Sequence, residues 1–363
     1  MSSVKATAIT EFFSTGTVKL AGATAGLLVV LSLTACNLDR DEGILMAAGS
    51  YGDLAVVLSH DDLRPAVAPF LQELNTPVTF VIRQEKPFNI DVYGPDKWKL
   101  CRGYKNILLI VRLGDGGPVE EKVADLLSNE TITRLREGRI GMVQRHDPFA
   151  RYQFALVVAS SDRNSLASLL RNNRQQIGDL LAEQIRERIQ RRFRHTGLQD
   201  DLMTRYWQQY GFFIEMPLEY RQTQVEPEGF AGIEWMRTKP SRGITLAWRQ
   251  VADPVSRLDD DAYLSEWRRE MGHKLHNEDI VDLGLEWSEA KLGDIPAKLL
   301  AGSWASQVID GGGPFRCYFF ADTARQRIFC LDTLVFVPGE DKLPYFREMQ
   351  AIAATFSLTG PHR

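Results

Sequence analysis

The chain has 363 residues, with 43 Lys or Arg against 47 Asp or Glu, a formal net charge of −4 at pH 7. Hydrophobic residues make up 44% and charged residues 25%, the proportions of a folded globular body rather than of a disordered chain. A mildly acidic balance gives no electrostatic footprint for nucleic acid, so no nucleic-acid partner is expected.

Residues 20–35 read LAGATAGLLVVLSLTA, apolar and uncharged, with Lys19 ahead of them and Cys36-Asn37-Leu38-Asp39-Arg40-Asp41 behind. A charged start, an apolar middle and small residues before a cut make a secretory signal. Its end, Leu33-Thr34-Ala35-Cys36, resembles the lipobox of bacterial lipoproteins. That resemblance implies removal of residues 1–35, a diacylglycerol on the Cys36 thiol, and further acylation such as palmitate. The lipid bilayer is then a partner through acylated Cys36. Each buried CH₂ contributes about 0.8 kcal/mol, so two or three acyl chains hold a protein where one does not. The alternative, an uncleaved transmembrane helix, needs about 20 apolar residues and this run is shorter. By the enterobacterial sorting habit, Asn37 points to the outer membrane. The expected location is the cell envelope, lipid-anchored and facing the periplasm.

Residues 36–48 read as a tether, 49–200 as an N-terminal domain and 211–358 as a C-terminal domain. In the first, DLAVVLS (53–59) is a strand and DDLRPAVAPFLQEL (61–74) a helix capped by Asp61 or Asp62. PFNIDVYG and NILLIVRL are extended, VEEKVADLLS is helical, and GRIGMVQRHD with RYQFALVVAS forms a hairpin around Pro148. One long helix is expected from Ser165 to about His195, with Tyr210 as its furthest end. Leu181, Ile185, Ile189 and Phe193 recur at four-residue spacing on it, and its arginines read as a solvated face.

The second half turns to strands: GFFIEMPLEYRQTQ, FAGIEWMRT, GITLAWRQV, AKLLAGSWAS, FRCYFFAD and RIFCLDTLVFV. Helices at 260–275 and 343–356 accompany them. The expected fold class is α+β, an N-terminal sheet-and-helix domain followed by a mainly antiparallel sheet with packed helices. The order of the second half is similar to the PsbP/Mog1 class of folds.

Several segments together resemble the DUF4837 proteins, exported bacterial proteins of unknown function that are often lipoproteins. These are GSYGDLAVVLS, RGYKNILLIV, GFFIEMPLEYRQTQ, IEWMRTKPSRGITLAWR and the block from GGGPFRCYFF to MQAIAATF. The resemblance spans roughly Gly49 to Phe356 and is most specific in that last block, where LVFVP lacks the tyrosine the pattern expects. It implies an exported, two-part protein and carries no catalytic residue or cofactor.

The chemistry-bearing candidates are few. Glu270, His273 and His276 recur at three-residue spacing on a helix, a partial metal site at most, and helix-end histidines meeting the negative dipole end are the bland alternative. Gly311-Gly312-Gly313-Pro314 open a strand rather than a helix and read as close backbone approach, not a phosphate loop. Asp259-Asp260-Asp261 read as a helix cap. Ser59-His60-Asp61-Asp62 end the first strand, where α/β proteins often place ligands. Trp235 and Trp248 lie on neighbouring strands, and an aromatic platform would need both on the solvent face. Cys317 and Cys330 face each other for a disulfide if their hairpin closes on two residues, and sit diagonally if it closes on four. No cofactor is expected. The reading is a non-enzymatic binding or assembly factor with an envelope protein as partner. The alternative is an envelope hydrolase acting on cell-wall or glycan material, which requires a cleft with two carboxylates of raised pKa.

Overall fold

The computed structural model describes residues 45–80, 83–225 and 230–361. The leader and Cys36 lie outside them. Residues Ile44–Arg363 form one compact unit with two large sheets and a two-strand ladder, a mixed α+β architecture as expected.

The first lobe runs β1 (Asp53–Leu58), α1 (Arg64–Leu74), a two-strand ladder of β2 (Val78–Phe80) and β3 (Arg83–Glu85), then β4 (Asn89–Tyr93) and β5 (Asn106–Arg112). It continues through α2 (Pro118–Leu126), α3 (Asn129–Arg136), β6 (Met142–His146), β7 (Phe154–Ser160), α4 (Arg163–Asn172) and α5 (Arg174–Thr196). The sheet order is β4-β1-β5-β7-β6, parallel except for β6. Parallel sheets are covered on both faces, so their strands read as unbroken apolar runs. Here Leu54, Val56 and Leu58 point to one core while Ala55 and Val57 point to the other.

The second lobe runs α6 (Asp200–Tyr210), β8 (Arg221–Val225), β9 (Gly232–Thr238), β10 (Ser241–Gln250), α7 (Pro254–Arg257) and α8 (Asp261–His276). Then follow β11 (Glu278–Leu292), β12 (Ile295–Ser306), β13 (Gly312–Asp322), β14 (Arg327–Phe336) and α9 (Leu343–Ala353). Seven antiparallel strands stand in the order β11-β12-β13-β14-β10-β9-β8. One face, with Trp235, Leu246, Phe320, Phe329 and Leu331, joins the core that also holds α5 and α9. The other packs under α8, where Trp267 and Met271 meet Phe319, Cys317 and Cys330.

Three expectations change. The single long helix is three helices: Asn173 leaves the helical region at ψ 13°, and Gly197 takes φ 113°, which favours glycine. Of GFFIEMPLEYRQTQ only Arg221 onward is a strand. Its first part does alternate, with Phe212, Ile214 and Met216 buried, but Phe213 pairs with Ser357 rather than with the sheet. Strand β11 had no apolar alternation to announce it, because most of it is exposed at the sheet edge.

Candidate functional site

Each sequence candidate has a local partner. Ser59 Oγ lies 2.9 Å from His60 Nδ1 and accepts from the Arg112 amide at 2.9 Å, while His60 Nε2 is 3.9 Å from Asp115. Ser59 is buried, so this serine, histidine and aspartate do not present a nucleophile to solvent. Asp62 accepts from Arg112 at 2.7 Å, a hydrogen bond that holds its carboxyl below the usual range. Asp260 caps α8 by accepting from the Tyr263 amide at 3.0 Å, as its place before the helix implied, and Asp261 pairs with Lys298.

His273 and His276 do not converge. His273 lies 3.6 Å from Asp279, His276 lies 2.8 Å from Glu234, and Glu270 binds Arg249 and Lys274. Among the described residues no three His, Cys, Asp or Glu side chains are grouped to hold a metal ion. Trp235 and Trp248 are both core residues, so they form no exposed platform. A Cβ at Gly312 would overlap the Trp304 carbonyl oxygen and one at Gly313 that of Val335, so these glycines serve close strand approach.

The hairpin carrying Cys317 and Cys330 closes on four residues, with Asp322 opposite Arg327, so the cysteines are diagonal. They nonetheless turn toward each other, with Sγ atoms 2.9 Å apart, and both are free thiols. The strand register alone did not reveal that approach. Burial, then the adjacent Cys330 sulfur, pushes the Cys317 thiol well up.

Two buried ion clusters were not foreseen. Under α8, the fully buried Arg268 lies 2.7 Å from Glu278 and 3.0 Å from Asp332. Burial pushes the Asp332 carboxyl up to about 6 against the pull of Arg268. Burial also opposes the charge on Arg268, but Asp332 and Glu278 outweigh it and raise its pKa. In the core shared with α9, Glu348 accepts from Arg242 at 2.7 Å, Arg237 at 3.1 Å, Arg192 at 3.2 Å and the Tyr220 hydroxyl at 3.1 Å. Burial disfavours ionised Glu348, yet the arginines, led by Arg242, hold it below the usual carboxylate range.

A third feature is open to solvent. A cavity of about 350 Å³ lies between Met46-Ala47, the start of β5 and the last turns of α5. Lys105, Arg188, Arg191, Arg192 and His195 line it with Tyr51 and Tyr152, and no carboxylate does. Arg188 is buried, contrary to a wholly solvated arginine face. Its Nη1 donates to Asn106 Oδ1 at 2.7 Å and its Nη2 to the Lys105 carbonyl at 2.8 Å. Burial, then repulsion from Arg191, lowers its pKa to about 10, and burial followed by Arg188 lowers that of Lys105. One sequence signal could have found it. Arg188 and Arg192 each stand three residues after a core position, Ile185 and Ile189, so they border the buried stripe.

No curated protein matches the chain. Among solved structures, a Bacteroides thetaiotaomicron protein is similar at 10% identity over 40% of this chain, TM-score 0.27, and the chain covers only 44% of its length. Cyanobacterial PsbP from Synechocystis is 9% identical over 40% of this chain and 86% of its own, TM-score 0.30. The Saccharomyces cerevisiae Ran-binding protein Mog1p is 9% identical over 41% and 91%, TM-score 0.29. LpqN of Mycobacterium tuberculosis, involved in cell envelope biogenesis, is 14% identical over 40% and 82%, TM-score 0.28. Scores this low carry no argument about activity or partners. Residues 269–355, which run from α8 to the end of α9, match the family described as Domain of unknown function (DUF4837), and the resemblance drawn from the sequence is supported there.

Proposed function

We propose that this chain is a cell-envelope lipoprotein, anchored through acylated Cys36 and acting as a non-enzymatic binding or assembly factor. The observation that carries the reading is the run of apolar residues closing on Leu33-Thr34-Ala35-Cys36. Two features support it. Among the described residues no helix is long and apolar enough to cross a membrane. The two buried carboxylate clusters, around Arg268 and around Glu348, are also paired internally and lie in the core.

The hydrolase alternative needs two carboxylates of raised pKa in a cleft. Burial raises the Asp332 carboxyl, and Asp332 is buried under α8. No observation favours that alternative.

The test is metabolic labelling with an alkyne-bearing fatty acid, with the wild-type chain beside Cys36→Ser. Label on the wild type alone, with a mature N-terminus at residue 36 by mass spectrometry, is the expected result. An unlabelled wild type, or label retained by the variant, would sink the proposal.

A further inference from the structure

Four cations and a histidine share the cavity beside Met46 without a carboxylate among them. Elsewhere this chain surrounds its buried arginines with acids, as at Arg268 and Arg242. Arg188 instead spends its guanidinium on two neutral acceptors, Asn106 Oδ1 and the Lys105 carbonyl oxygen, which fix it without cancelling its charge. Lys105 stands over the Tyr51 ring at 4.9 Å and donates to the Gly49 carbonyl, again a neutral partner. Arg191 lies over the exposed Tyr152 ring at 5.4 Å. Arg192 shares Glu348 with two other arginines, and its buried Nε has no partner.

Like charges four apart on a helix repel, so Arg188 and Arg192 on α5 cost stability as they stand. A bound anion reverses that cost. We infer that this cavity binds a phosphate-bearing ligand, with Arg188 and Arg191 on its oxygens and Lys105 beside them. A single carboxylate carries one charge, whereas a phosphate monoester carries nearly two and offers three acceptor oxygens to arginine forks. At about 350 Å³ the space lies at the lower end for small-molecule sites, with room for the group that bears the phosphate. Tyr51 and Tyr152 supply walls for that group.

The phosphate can belong to a soluble metabolite or to a lipid headgroup. Exposed Leu45, Met46 and Tyr152 border the opening, and Met46 follows Cys36 by ten residues in sequence. The inference goes beyond the anchoring reading and holds for a chain that carries no lipid.

Acetylation of Lys105, followed by peptide mass spectrometry on the full chain in non-ionic detergent, reads occupancy directly. Inorganic phosphate, glycerol 1-phosphate, dihexanoylphosphatidic acid (a lipid phosphate monoester) and, as a diester control, dihexanoylphosphatidylcholine are titrated, with sodium chloride at matched ionic strength. Saturable protection is expected, and Arg191→Gln should raise the half-protecting concentration at least about tenfold, the loss of one charge-assisted contact. Arg191 is exposed, so the variant keeps its fold, and exposed Arg171→Gln serves as the control. Protection by inorganic phosphate and glycerol 1-phosphate identifies a soluble ligand, protection by phosphatidic acid alone identifies a headgroup, and equal protection by phosphatidylcholine would count against recognition of a phosphate monoester. Protection that only tracks ionic strength, or that Arg191→Gln leaves unchanged, would overturn the inference.

Discussion

Replacing Arg268 by Met probes the largest buried charge in the second lobe. The side chain is inaccessible and neutralises Glu278 at 2.7 Å and Asp332 at 3.0 Å, both themselves buried. Removing one member of a buried ion cluster strands its partners, which costs about 3–5 kcal/mol. The pH dependence gives a sharper test. Asp332 has a folded pKa of about 6, above an unfolded value of about 3.9. Its contribution to stability is therefore full below about pH 4 and lost as pH rises through about 6, a change of roughly 3 kcal/mol. In Arg268→Met the attraction that restrains Asp332 is gone, so its carboxyl rises further. The window over which stability is lost then extends upward. The deficit against wild type should be largest near pH 8 and shrink toward pH 5, where the Asp332 carboxyl takes a proton. Urea unfolding followed by tryptophan fluorescence reads it, since buried Trp267 and Trp304 belong to the same core. Combining Arg268→Met with Glu278→Gln and Asp332→Asn should recover at least half of the loss. A deficit under about 1 kcal/mol, or one equal at pH 5 and pH 8, would refute the reasoning.

Two further outcomes follow from packing. Gly313→Ala should destabilise by about 1–3 kcal/mol, because its Cβ would overlap the Val335 carbonyl oxygen on the adjoining strand; an unchanged urea midpoint would contradict this. Burial pushes the Cys101 thiol up to about 11 and raises that of Cys317 too, so at pH 8 the native protein should resist iodoacetamide. After denaturation Cys101, Cys317 and Cys330 should all be alkylated, and a product with Cys101 alone modified would reveal a bridge between the other two.

Strand identity was legible wherever burial imposed a pattern. LAVVL and ILLIV carry no alternation because both faces of their sheet are covered, and TLVF on β14 is buried in the same way. Edge strand β11, with Leu283 and Val281 exposed among acids, had nothing to declare it. The helix breaks were half visible, since Gly197 stands in the sequence while Asn173 breaks the helix by its conformation alone. Charge clusters were hidden for a different reason. Arg268 and Asp332 lie 64 residues apart in the chain, so no local pattern shows that they meet. The approach of Cys317 and Cys330 depended in the same way on where side chains turn, which strand register does not determine.

The arginines also separate structural charge from charge that awaits a ligand. Arg268 and Arg242 are buried, and their partners outweigh desolvation and raise both pKa values, Asp332 and Glu278 for the first and Tyr220 with Glu348 for the second. Arg188 is buried too, and burial, then repulsion from Arg191, lowers its pKa to about 10, while its hydrogen-bond partners are neutral. An acid in place of Asn106 would pair with Arg188 at the same distance and cancel its charge. Asn106 has its own duties, however, since its Nδ2 donates to the carbonyls of Tyr51 and Asp53 at 2.9 Å. A carboxylate there would accept from Arg188 and lose both donations, leaving two carbonyl oxygens unpaired. The amide thus joins β5 to the segment beside the cavity while leaving the guanidinium charge uncancelled. An anion entering from solvent can supply the missing charge without disturbing that connection.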